Sequence, residues 1–249
     1  MKTKQGVMIY LIGAMVQMGI VCSMIAILRL YKVNYNGFIS LIFLAIGGLS
    51  TAIWGSLVAK WTGKIKSYKE LVKAFLKLRV PWKYYLIVMM FLCIVFGKQL
   101  IGGELVQGTK WYDFLFLFVS SIIFGGIEEI GWRYTYQPLL EEKMPYEMAS
   151  VCTFISWGVW HYMYFYMTDT LGAINHASFL VGLLASCFIL GAIYRITKSL
   201  WLCVLYHVML NVFSQTLVEA SLRQALITTL VCIVGSIILV RKNKDLIFH

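Results

Sequence analysis

The chain has 249 residues, of which 60% are hydrophobic and only 13% charged, with a mean hydropathy of +0.79. Soluble domains carry about 25% charged residues, so a water-soluble fold is excluded, as are the collagen, coiled-coil and disordered classes. The formal charge of +11 is distributed over alternate loops rather than one surface stripe, which argues against nucleic acid as a partner.

Eight stretches are long and apolar enough to cross ~30 Å of hydrocarbon as helices, the form in which backbone groups satisfy one another. They are residues 7–28, 38–59, 82–102, 111–137, 147–167, 176–196, 200–218 and 225–240. The first follows Lys2 and Lys4 and has no small-residue cleavage site, so it reads as a retained helix rather than a signal peptide. Seventeen of the 22 basic residues lie in one set of alternate loops: Lys2, Lys4, the eight from Lys60 to Lys83, Arg133, Lys143, Arg195, Lys198, Arg241, Lys242 and Lys244. The other set holds Arg29, Lys32, Lys98, Lys110 and Arg223. The positive-inside rule then puts both termini in the cytoplasm. The expected fold is all-α: a polytopic bundle of eight transmembrane helices in the cell membrane, forming one integral-membrane domain over residues 1–249.

Aromatic residues mark the expected membrane edges: Trp82, Tyr84 and Tyr85 open the third span, Trp111 and Tyr112 the fourth, and Tyr162, Tyr164 and Tyr166 close the fifth. Between spans two and three, Lys66, Lys69, Lys73 and Lys77 recur at helical spacing opposite Tyr68, Leu71, Phe75 and Leu78. That pattern predicts an interfacial helix on a bilayer with anionic headgroups. Cys22, Cys93, Cys152, Cys187, Cys203 and Cys232 stand singly in apolar stretches and read as packing residues.

Polar residues within the spans carry the functional signal, because each ionisable group costs roughly 2.5 to 3.5 kcal/mol to insert and normally faces the bundle interior. The fourth span holds Glu128 and Glu129, with Arg133 four positions after Glu129 and so able to pair with it, which leaves Glu128 free. The fifth contains Ser156, Trp157 and His161 in FISWGVWHYMYF, and the seventh His207 and Asn211 at i, i+4 spacing in LYHVMLNVF. His176 and His249 fall at a span edge and at the terminus and read as structural or solvated. Ser120, Ser121 and Ser156 lack GxSxG or a Ser/Lys pattern and read as packing groups, as do Gly125, Gly126, Gly131, Gly182 and Gly191.

Amide hydrolysis needs a base for water, a proton donor for the leaving nitrogen and donors for the oxyanion. Glu128 suits the first two roles, and His207 with Asn211 the third. Zinc held by Glu128, His161 and His207 is the competing arrangement, disfavoured because nothing resembles HExxH.

EEIGWR at residues 128–133, His161 preceded by an aromatic four residues earlier, and HVMLN at residues 207–211 resemble the three motifs of the CAAX-processing and bacteriocin-processing intramembrane protease family (CPBP, also called Abi). The resemblance covers a motif-bearing core at residues 125–211. It implies an eight-helix, cytoplasm-facing glutamic endopeptidase without a cofactor, in which Glu128 is the base, His161, His207 and Asn211 surround the attacked carbonyl and its water, and Glu129 and Arg133 support them. It also implies a peptide or membrane-tethered protein substrate, prenylated in some members, and a role in bacteriocin immunity in others. Trp157 departs from the usual phenylalanine, preserving an aromatic wall while bearing on substrate fit. The rival expectation is a noncatalytic binding or transport protein using the same polar cluster.

Overall fold

The structure, a computed structural model, describes residues 2–33 and 37–243; Lys244 and His249 lie outside them. Among the described residues the regular structure is helical, joined by short connections, with one isolated antiparallel bridge between Leu105 and Leu217. The α-helices in order are α1 (Lys2–Leu30), α2 (Phe38–Gly48), α3 (Ser50–Trp61), α4 (Tyr68–Phe75), α5 (Trp82–Gly102), α6 (Trp111–Phe124), α7 (Gln137–Glu141), α8 (Tyr146–Met167), α9 (His176–Thr197), α10 (Leu200–Thr216) and α11 (Leu222–Lys242).

Six stretches among the described residues are long and apolar enough to cross a membrane: Lys2–Leu30, Phe38–Trp61, Trp82–Gly102, Trp111–Glu141, His176–Thr197 and Leu222–Lys242. The two expected spans missing from this set are α8 and α10. With 17 residues, α10 is about 25 Å long at 1.5 Å per residue, short of the hydrocarbon thickness. In α8, Glu147, Ser150, Thr153, Ser156 and His161 interrupt an otherwise apolar and aromatic sequence. Helix α8 gives up hydropathy to carry polar groups, whereas α10 is apolar but short.

Helix α9 is the centre of the bundle: 61% of its apolar window is buried, against 22 to 39% in the other five. It packs along α8, α10 and α11. Helix α1 buries Gly6, Tyr10, Gly13, Ala14, Met18, Val21 and Ile25, a stripe recurring every three or four residues, and lays it against α3 and α8. Its opposite face turns Met8, Ile12, Val16 and Ile20 outward. Comparable apolar side chains cover the outer faces of α5, α6 and α11, a surface that water would not tolerate and lipid does.

Two expected spans are not continuous helices. The second breaks at Leu49 between α2 and α3, just after Gly47 and Gly48. The fourth ends its α-helical course at Phe124, passes through a 3-10 turn at Gly126–Glu128, and continues as a π-helix over Ile130–Tyr136 before α7. Close backbone contact accompanies the π segment. A Cβ at Gly131 would lie 2.5 Å from the Thr51 carbonyl oxygen and from the Tyr10 hydroxyl, and one at Gly55 would lie 2.5 Å from the Gly131 Cα. Thr135 fastens the joint, donating its hydroxyl to the carbonyls of Ile130 at 2.9 Å and Gly55 at 3.0 Å.

A helix stands at the expected place as α4 but is shorter than the lysine pattern, so that Lys66, Lys77 and Leu78 flank it. Leu71 is buried, while Ala74 and Phe75 pack on the core beside α10. Lys66, Lys69 and Lys73 are exposed.

Candidate active site

The change from 3-10 to π geometry falls between the two adjacent acids. Glu128 ends the tight turn and Glu129 caps the wide helix, so their side chains leave the backbone toward different neighbours. Both are buried, at 4% and 0% exposure.

Glu129 has a partner on each side. Its Oε1 accepts a 2.7 Å hydrogen bond from His207 Nδ1, and its Oε2 lies 3.7 Å from Arg133 Nε, an ion pair with both side chains fully buried. The expected pairing of Glu129 with Arg133 is therefore present. Arg133 also donates Nη2–H to Cys187 Sγ at 3.7 Å and places its guanidinium carbon 4.4 Å from the centre of the Trp157 ring. The opposite charges offset one another, although Glu129 Oε2 and Arg133 Nε and Nη1 make no hydrogen bond among the described residues.

Glu128 is held from α8. The Trp157 indole N–H donates to Glu128 Oε2 at 2.9 Å. Trp157 is thus more than the aromatic wall read from the sequence: it contacts the acid itself. Its ring also stands between the two imidazoles, 5.0 Å from His161 and 5.3 Å from His207.

His161 Nδ1 lies 2.9 Å from the Trp157 carbonyl oxygen. A carbonyl only accepts, so Nδ1 carries the proton and Nε2 keeps its lone pair. Trp157, Trp160, Phe165 and Phe179 surround this ring. Among the described residues no hydrogen bond joins His161 to Glu128; the two meet through Trp157.

His207 and Asn211 share one face of α10, as their spacing predicts. A Cβ at Gly125 would lie 2.3 Å from Asn211 Nδ2 and 3.3 Å from His207 Nε2. Both nitrogens therefore converge on the bare backbone where α6 ends. Gly125, read from the sequence as a packing residue, keeps that space open.

Three neighbours escaped the sequence reading. Tyr10 of α1 stacks on Tyr136 at 5.0 Å, meets Trp132 edge-on at 5.5 Å and rests its hydroxyl against Gly131. Cys187 of α9 receives Arg133. Tyr136 and Ser156 share a 2.9 Å hydrogen bond. None belongs to a motif, and an aromatic or cysteine in an apolar span carries no signal of its own. His176 pairs with the Tyr162 hydroxyl at 3.1 Å, away from the acids, consistent with a structural role. Among the described residues no three His, Cys, Asp or Glu side chains are close enough together to hold a metal ion.

A bundle with apolar outer helix faces around a buried acid, imidazole and guanidinium cluster defines a multi-pass membrane protein with a polar site inside the bundle. Residues 109–213 match the family model described as type II CAAX prenyl endopeptidase, Rce1-like. The match bears out the resemblance to the CPBP proteases and takes in α6 through α10 as far as Phe213, with Glu128, Glu129, Arg133, Trp157, His161, His207 and Asn211. No curated protein matches the chain.

Proposed function

We propose that this protein is an intramembrane endopeptidase in which Glu128 activates water without a metal. Glu128 takes a proton from water, the hydroxyl oxygen adds to the scissile carbonyl, and the same proton passes to the leaving nitrogen as the C–N bond breaks. The Trp157 indole N–H engages Glu128 Oε2, and Oε1 is the oxygen that takes the proton. His161, with its proton on Nδ1, offers Nε2 as an acceptor for that water.

The oxyanion falls to α10. Asn211 donates from Nδ2, and among the described residues its side-chain amide makes no other hydrogen bond. His207 gives Nδ1–H to Glu129, so its Nε2 donates only in the imidazolium form. Each preorganised donor is worth about 3 to 4 kcal/mol in such a site.

The observation that carries this reading is the convergence of Asn211 Nδ2 and His207 Nε2 on Gly125, three residues before an acid held by Trp157. The substrate is a prenylated CAAX protein tail, or another peptide or membrane-tethered protein, presented at the cytoplasmic side. This orientation goes with eight spans, α8 and α10 included, both termini in the cytoplasm and the basic face at Lys66, Lys69 and Lys73 on anionic headgroups of the cell membrane.

The test is cleavage of a quenched fluorescent prenylated CAAX peptide by purified protein in lipid nanodiscs, with products identified by mass. Glu128→Gln should lower kcat by about 10²- to 10⁴-fold, the usual contribution of a general base. Retained turnover in that variant, or peptide flux without cleavage by the unaltered protein, overturns the proposal.

A further inference from the structure

We infer that Trp157 is a positioning residue whose indole N–H orients the Glu128 carboxylate for water activation, with Arg133 holding and polarising the indole from its face. This rests on the assignment of Glu128 as the base.

Three observations carry it. The N–H reaches Glu128 Oε2 at 2.9 Å, fixing one carboxylate oxygen and with it the plane in which the other lies. A carboxylate otherwise rotates about its terminal bond in a broad, roughly two-fold well, and a base displaced by 1 Å can lose about 10²-fold in rate. The indole itself has little freedom. Trp157 is 1% exposed, with the Arg133 guanidinium carbon 4.4 Å from its ring centre and the imidazoles of His161 and His207 at 5.0 and 5.3 Å. A cation over the ring face draws π density toward itself, which leaves the N–H a stronger donor in the ring plane. Through this contact Arg133, whose ion-pair partner is Glu129, acts on Glu128 without touching it.

The same residue orders the second histidine. Its backbone carbonyl accepts Nδ1–H of His161, so one residue of α8 sets both the rotamer of the acid and the tautomer of the imidazole. Only the first of these depends on the side chain.

That difference makes the idea testable. Trp157→3-benzothienylalanine keeps the bicyclic ring and replaces N–H by sulfur; Trp157→Phe removes the N–H and part of the ring. Both are assayed with the prenylated CAAX peptide after a monodisperse elution profile confirms folding. In each, kcat should fall on the order of 10- to 100-fold while KM stays at the unaltered value, because the interaction acts on the base and not on the substrate. A role in packing alone would leave the benzothienyl variant at full rate. Unaltered kcat in either folded variant overturns the inference. Where Glu128→Gln is inactive and the benzothienyl variant is fully active, only the positioning role fails; where Glu128→Gln itself turns over, the assignment of the base has failed first.

Discussion

Glu129 and His207, 78 positions apart in the chain, meet at 2.7 Å through Oε1 and Nδ1, and this contact separates the functions of two adjacent acids. Glu129 is committed on both sides, to His207 and Arg133, whereas Glu128 takes the Trp157 indole N–H on Oε2. Truncating Glu129 strands a fully buried guanidinium, and breaking a buried pair in this way costs about 3 to 5 kcal/mol. Glu129→Ala should therefore lower the thermal unfolding midpoint markedly and abolish cleavage, while Glu128→Gln abolishes cleavage with the midpoint retained. Thermal scans of the two variants in the same detergent decide this.

Asn211 is expected to act on the transition state rather than on binding. Asn211→Ala should reduce kcat by about 10²- to 10³-fold with KM unchanged, the magnitude of one lost oxyanion donor. Steady-state rates over a range of peptide concentrations separate the two parameters.

Gly125 should be intolerant of any side chain for a reason linked to Asn211. A methyl group there would lie 2.3 Å from Asn211 Nδ2, and the amide, at the end of a short side chain, would yield by swinging away. Gly125→Ala is expected to fold and to lose about as much kcat as Asn211→Ala. The double variant should be no worse than either, since both remove one interaction; additive losses in the cycle would show that Gly125 acts elsewhere.

Metal content gives an independent check. Active protein should contain zinc far below one equivalent by elemental analysis, and cleavage should survive a chelator. Stoichiometric zinc, with activity lost on chelation and regained on addition, would transfer the activation of water to a metal.

Orientation is measurable by thiol labelling. Lys69→Cys on α4 and Lys110→Cys before α6 should react with a membrane-impermeant maleimide from opposite sides of sealed vesicles, Lys69→Cys from the cytoplasmic side. Labelling of both from one side would contradict the arrangement of eight spans.

Composition and spacing were enough for the membrane class, the helical architecture, the pairing of Glu129 with Arg133 and the common face of His207 and Asn211, because hydropathy and helical period are properties of a single segment. The motif order likewise sufficed for the family resemblance. What tertiary structure decided depends on contacts between segments. The close approach of Gly55 and Gly131 accompanies a switch of span four from 3-10 to π geometry, which no periodicity announces, and that switch aims Glu128 at α8 and Glu129 at α10. The reach of the Trp157 indole to Glu128 and the place of Cys187 and Tyr10 are likewise contacts between segments, whereas the proton on His161 is set within α8 by the Trp157 carbonyl. A helix face can be read along the chain, but the residue it meets is set by how far two backbones can approach.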